Sequence, residues 1–199
     1  MSADTEQSDL AHSAAGDGEA YARIVRKYQS QVARRMRSFA RQPAVIEELV
    51  QEVFVDAYYG LRGYRGDGEF GAWLARIATR VGYRYWKKNR RREEVGRDDS
   101  WWRHVAQQEV EELDPTAAGQ FIHNLLDRLP PRDRLVMLLI HVEGLSVEQA
   151  AQLAGWSKTM TKVQAFRARR KLRALLNELG IDNLRDACLS SEEAVHERT

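Results

Sequence analysis

The sequence predicts an all-α protein made of two small helical domains joined by an acidic linker. Three observations carry that reading. Apolar residues recur at three- and four-residue steps through most of the chain, the spacing of one helix face. The 199 residues include only 13 Gly and 4 Pro, too few for the turn-rich grammar of a β-sandwich. The formal net charge of +2 conceals a strong segregation. Residues 1–20 sum to −5, 21–97 to +10, 98–127 to −6, 128–180 to +6 and 181–199 to −3. Two basic blocks flanked and separated by acidic ones suggest two modules that meet a polyanion. Charge alone equally fits two ordinary solvated helical domains.

The elements follow in order. Residues 1–17 are acidic and polar and read as a flexible N-terminus. Tyr21, Ile24, Val25, Tyr28, Val32, Met36 and Phe39 form an amphipathic stripe that ends before Pro43. Ile46, Leu49, Val50, Val53, Phe54, Ala57, Tyr58 and Leu61 form a second, with Glu47, Glu48, Gln51, Glu52 and Asp56 on the opposite face. GYRGDGEFG then breaks the helix into a loop. Phe70, Trp73, Leu74, Ile77, Ala78 and Val81 make the third stripe. Three helices with one short loop can close a small core, so 18–97 reads as the first domain. Residues 98–118 turn acidic and read as a linker, although Trp101 and Trp102 stand out within it.

Phe121, Ile122, Leu125, Leu126 and Leu129 restart the helical period, and Pro130–Pro131 separates that helix from the next. Gly144 suits the position after a helix end. Ser146 and Gln149 fit a capping box, and Gly155 a turn before Ser157, which caps a long last helix. The second domain spans 119–180, and 181–199 is an acidic tail.

Residues 146–172 therefore read as a helix–turn–helix whose second helix is basic. Thr161, Ala165, Ala168, Leu172 and Leu175 share its inward face, while Lys158, Lys162, Val163, Phe166, Arg167, Arg169 and Arg170 occupy the rest. An exposed Phe can touch a thymine methyl, and Arg or Lys can grip guanine or phosphate. The plainer reading puts Phe166 in the core and leaves the arginines in water. RVGYRYWKKNRRR, residues 80–92, carries seven basic residues interleaved with Tyr83, Tyr85 and Trp86. Such interleaving suits unpaired bases stacked on rings beside held phosphates. EELVQEVF, residues 47–54, presents Glu48, Gln51 and Glu52 as a polar face that could meet a basic partner.

Other function classes find little support. The lone Cys188 excludes a disulfide framework within the chain. No apolar run approaches the roughly 18–20 residues of a membrane span. MSADTEQSDLAHS is neither a secretory signal nor an Arg-rich transit peptide, so a cytoplasmic protein is expected. The five His are scattered without metal-ligand spacing. No catalytic residue, metal, cofactor or small-molecule substrate is expected.

These segments, in this order, resemble the bacterial sigma-70 superfamily, specifically the two-domain extracytoplasmic-function sigma factors. VIEELVQEVFVDAYYGLRGYR looks like region 2.2 of that family. FGAWLARIATRVGYRYWKKNRRR looks like regions 2.3 and 2.4, and LDRLPPRDRLVMLLIHVEGLSVEQAAQLAGWS followed by FRARRKLRALL looks like region 4. The resemblance implies a transcription initiation factor with core RNA polymerase, promoter DNA and an anti-sigma factor as partners. Glu48, Leu49, Gln51, Glu52 and Phe54 would then contact polymerase. Arg80, Tyr83, Arg84, Trp86, Lys87, Lys88 and Arg91 would meet the melted −10 element. Ser157, Lys158, Lys162, Val163, Phe166, Arg167 and Arg170 would read the −35 duplex. Arg80 and Arg84 stand where the family usually has Asn and Asp, and Val163 and Gln164 also depart from its pattern. Two rivals are a helix–turn–helix regulator that never binds polymerase and a sigma-like adaptor that sequesters an anti-sigma factor.

Overall fold

The computed structural model describes residues 3–66, 68–93 and 115–178, with side chains over 5–66, 68–89 and 121–178. These residues form eight α-helices and no strand. The chain splits into two compact units, with the first division at Lys88–Asn89.

The first unit begins with α1 (Ala3–Ala14), α2 (Gly18–Met36) and α3 (Pro43–Gly60), and continues into α4 (Phe70–Glu93). The expectation of a flexible N-terminus is corrected here, because most of 1–17 is helical and docked. Asp9, only 3% exposed, accepts from Arg23 Nε at 3.0 Å and Nη2 at 2.6 Å. Glu6 pairs with Lys27 and accepts the Tyr28 hydroxyl at 2.8 Å. Acidic residues that looked solvated in the sequence thus find basic partners on the next helix.

Each helix start is dictated locally. Asp17 caps α2 by accepting from the Glu19 and Ala20 amides, and Pro43 opens α3 where its missing N–H costs nothing. Ile24, Val32 and Met36 of α2 are buried with Leu49, Val53, Phe54 and Ala57 of α3. The Tyr21 hydroxyl donates to the Phe54 carbonyl, and burial pushes this phenol well above its ordinary pKa. Helix α4 buries Phe70, Leu74, Ile77, Ala78 and Val81, as the periodicity predicts. It also buries Trp86, whose ring lies 4.5 Å from that of Phe39.

The second unit contains α5 (Pro115–Asp127), α6 (Pro131–Met137), the first part of α7 (Val147–Ala154) and α8 (Lys158–Glu178). Helix α5 starts inside the stretch read as linker, because the helical pattern extends back to Pro115. Helix α6 runs on as a π-turn over Leu138–Val142. Gly144, at φ +67°, then turns the chain back with a bond from the Leu145 amide to the Leu139 carbonyl. Phe121, Leu125, Leu126, Leu129, Val136 and Met137 pack with Ala165, Ala168, Leu172 and Leu176 of α8 in one core. This core orients α8 and decides which of its residues face water.

Candidate nucleic-acid interface

The helix–turn–helix is built from local signals. The Gln149 amide donates to Ser146 Oγ at 3.2 Å, and Gln149 Oε1 accepts from the Ser146 amide at 2.9 Å, a reciprocal capping box. Gly155, at φ +69°, ends α7, and the Trp156 amide reaches back to the Ala151 carbonyl at 2.9 Å. Ser157 Oγ accepts from the Met160 amide at 3.1 Å, so this residue is occupied as the cap of α8. Thr161, Ala165, Ala168 and Leu172 face inward, with Leu176 rather than Leu175 as the fully buried residue beyond them.

The outward face of α8 carries Lys162, Val163, Phe166, Arg167 and Arg170, all exposed. Phe166 is 58% exposed and Val163 45%, which excludes the core placement of Phe166. An apolar side chain held in water between cations contributes little to folding and suits a base-edge contact. Lys158 pairs with Glu148 of α7. That lysine holds the Glu148 carboxyl below its usual range through a direct hydrogen bond. Gln164 is not on the open face. It donates to Oδ1 of the buried Asp133 at 2.5 Å, and Lys171 donates to Oδ2 at 2.6 Å. One buried carboxylate on α6 therefore fixes α8 at two points, an anchor that sequence pattern did not reveal because its partners lie 31 and 38 residues away.

On α4 the expected strand-binding residues divide. Arg80, Arg84, Lys87 and Lys88 are exposed and Tyr83 is half-buried, whereas the side chain of Arg91 lies outside the described residues. Trp86 is a correction. It is 4% exposed, and its indole N–H donates to the Phe39 carbonyl at 2.8 Å, so it cannot stack on a base in this fold. Arg84 donates from Nε to Glu52 at 3.1 Å and from Nη2 to Asp56 at 3.1 Å. These bonds keep the Arg84 guanidinium firmly charged, Glu52 contributing most. Arg80 Nη2 lies 3.9 Å from the same Asp56 oxygen.

On α3, Leu49 and Phe54 are also corrected, being 3% and 7% exposed. They sit on the apolar side of the helix and hold the core. Glu48 and Gln51 are exposed, while Glu52 is engaged by Arg84. Val55 and Tyr59, which sequence reasoning did not single out, are 53% and 78% exposed. They continue the Glu48–Gln51 face at helical spacing. A groove of about 930 Å³ runs between α2 and α3, lined by Arg37, Ile46, Glu47, Val50 and Gln51 among others. A smaller cavity of about 220 Å³ lies at the glycine-rich loop, lined by Tyr64, Arg65, Trp73 and Arg76 with Gly63 and Gly68. Tyr64 and Trp73 are 5.1 Å apart there, and the Tyr64 hydroxyl donates to the Gly68 carbonyl at 2.7 Å. The aromatic and basic residues around GYRGDGEFG were the available signal for this cavity.

Among the described residues no group of His, Cys, Asp and Glu could hold a metal, and no helix is long and apolar enough to cross a membrane. Two helical units each present basic residues on an exposed helix face, which makes nucleic acid their candidate partner. The sigma-70 region 2 family model matches residues 24–92, and the sigma-70 region 4 model residues 121–172. Similar proteins include the ECF RNA polymerase sigma-E factor of Haemophilus influenzae, 27% identical over 83% of this chain and 92% of that protein. The RNA polymerase sigma-H factor of Pseudomonas aeruginosa is 26% identical over 82% of this chain and 90% of its own length. Among solved structures, CnrH in complex with the cytosolic domain of CnrY matches with a TM-score of 0.54. It is 25% identical and covers 87% of this chain and 98% of that one. The chain belongs to the sigma-70 family and is an RNA polymerase sigma factor of the extracytoplasmic-function type, a transcription initiation factor.

Proposed function

We propose that the chain brings core RNA polymerase to promoters by reading the −35 duplex with α8 and holding the melted −10 strand on the exposed side of α4. The observation that carries this reading is Phe166 and Val163 held in water among Lys162, Arg167 and Arg170 on the second helix of a capped helix–turn–helix. Phe166 and Val163 supply apolar contacts to base edges in the major groove, while the cations grip phosphates. Arg80, Tyr83, Arg84, Lys87, Lys88 and Arg91 hold the single strand, with Trp86 supporting them from the core. The Tyr64–Trp73 cavity has the aromatic walls and guanidinium rim that an unstacked base requires.

Polymerase docks on the outward face of α3 through Glu48, Gln51, Val55 and Tyr59, beside the α2–α3 groove. Leu49 and Phe54 keep that face in place from behind. The protein works in the cytoplasm, where polymerase and its template are, and catalyses no reaction itself. A protein partner of the anti-sigma class is part of the same reading; the similar CnrH is held in complex with the cytosolic domain of CnrY. Run-off transcription with core polymerase and this chain tests the reading. Specific transcripts that require the chain are expected. Their absence, with polymerase active on a non-specific template, removes it.

A further inference from the structure

Arg80 and Arg84 lie on the helix proposed to face DNA, yet Arg84 is hydrogen-bonded to two carboxylates of α3 and the more exposed Arg80 lies near one of them. Arg84 reaches Glu52 through Nε at 3.1 Å and a shorter second bond, and Asp56 at 3.1 Å. Arg80 approaches Asp56 at 3.9 Å. Carboxylate oxygens at hydrogen-bonding distance from a guanidinium offer it what the non-bridging oxygens of a phosphodiester offer.

We propose that Glu52 and Asp56 are an internal competitor for nucleic-acid phosphate, holding Arg84 and Arg80 off the strand until their carboxylates are engaged elsewhere. This rests on the reading of α4 as a strand-binding helix and adds regulation to it. This ladder of two arginines and two carboxylates is suited to exchange. The Arg84 and Glu52 side chains are 49% and 43% exposed, so water and phosphate reach both without unfolding. Half-exposed ion pairs are nearly balanced against solvation, so a strand can displace the carboxylates at small cost. A basic partner surface that takes Glu52 releases Arg84. By linkage, a strand that takes Arg84 releases Glu52 for that partner. Docking on α3 and strand capture on α4 therefore reinforce each other through one shared pair.

The test is the full chain titrated into a fluorescein-labelled oligothymidylate, followed by anisotropy at several salt concentrations. The Glu52→Gln/Asp56→Asn variant is expected to bind about two- to tenfold more tightly at low salt, the worth of two exposed pairs. Its log–log salt slope should steepen by about 0.7 for each phosphate contact recovered. The same changes in an Arg80→Ala/Arg84→Ala background should give no such gain. Neutralising Glu47 and Glu48, which removes equal charge from α3 outside the ladder, should give a smaller one. Equal gains from the control pair, or a gain that survives loss of both arginines, overturns the proposal in favour of bulk charge. If the double variant melts early, the single Glu52→Gln change at the half-exposed end is read in its place, with the same expected direction. No binding by the wild-type chain or any variant would overturn the strand-binding reading of α4 itself, and the proposal with it.

Discussion

Trp86 is the residue on which the basic segment 80–92 and the core make opposite demands. Its ring is 4% exposed, tilted 43° against Phe39, and its N–H is committed to the Phe39 carbonyl at 2.8 Å. Truncation to Ala empties a large buried volume, which costs about 3–5 kcal/mol. It also leaves the Phe39 carbonyl without this donor, a further cost of about 1–3 kcal/mol where water does not replace it. Set against the roughly 5–15 kcal/mol total of an ordinary domain, about a fifth or more of the stability goes. At about 4–8 °C per kcal/mol for a domain of this size, the first unit should melt at least about 12 °C lower. Trp86→Phe is the milder change. It keeps a six-membered ring beside Phe39 but loses the N–H with the rest of the pyrrole ring, so the lost bond alone, at about 1–3 kcal/mol, lowers the melting temperature by at least about 4 °C. Thermal melts by circular dichroism, run beside strand binding, give both readouts. A Trp86→Ala protein that melts like the wild type but no longer binds single-stranded DNA would refute the burial argument.

A Cβ at Gly82 would lie 2.5 Å from Phe39 Cδ2 and closer still to Cγ and Cδ1. Gly82→Ala should therefore lose about 1–3 kcal/mol through overpacking, despite the roughly 1 kcal/mol that Ala gains in helix propensity; an unchanged or raised melting temperature would show that the ring moves aside freely. The hydrogen bond from Arg23 holds the Asp9 carboxyl below the usual carboxylate range, so α1 docking is fully supported above that range and weakens as pH falls through the depressed value. Amide exchange in α1 should rise with that acidification, and Arg23→Ala should remove the dependence. Phe166→Ala should relax base preference at one or two −35 positions by about 1–3 kcal/mol, whereas Arg167→Ala and Arg170→Ala should weaken all duplexes alike and flatten the salt slope by about one unit per contact. Selections on randomised duplexes at several salt concentrations distinguish the two, and an unchanged motif for Phe166→Ala removes it from the base-reading face.

The helices and most of their ends were legible in the sequence because their causes lie within a turn or two of each residue. The Ser146–Gln149 box, the Ser157 cap and the positive-φ turns at Gly144 and Gly155 all involve neighbours three to six positions apart. The exposed face of α8 was also legible, since Ala165, Ala168 and Leu172 mark its inward side at helical spacing and leave Phe166 outside. Composition and periodicity alone thus determined an all-α chain with a basic helix–turn–helix.

Tertiary packing decided the rest. In α4, Tyr83, Tyr85 and Trp86 follow one another too closely for the period to choose which ring turns inward. The choice falls to Trp86 because Phe39, 47 residues earlier, supplies both a ring and a carbonyl. Gly82, one turn before it, leaves room for that ring. Nothing in the sequence pairs Asp9, Glu52, Asp56 or Asp133 with a cation until folding brings Arg23, Arg84 and Lys171 beside them. A charge pattern states how many carboxylates and cations a surface holds, but pairing depends on distances of a few ångströms between residues far apart in the chain. Those distances exist only once the helices have packed, because the attraction between such groups is weak in water until folding holds them close.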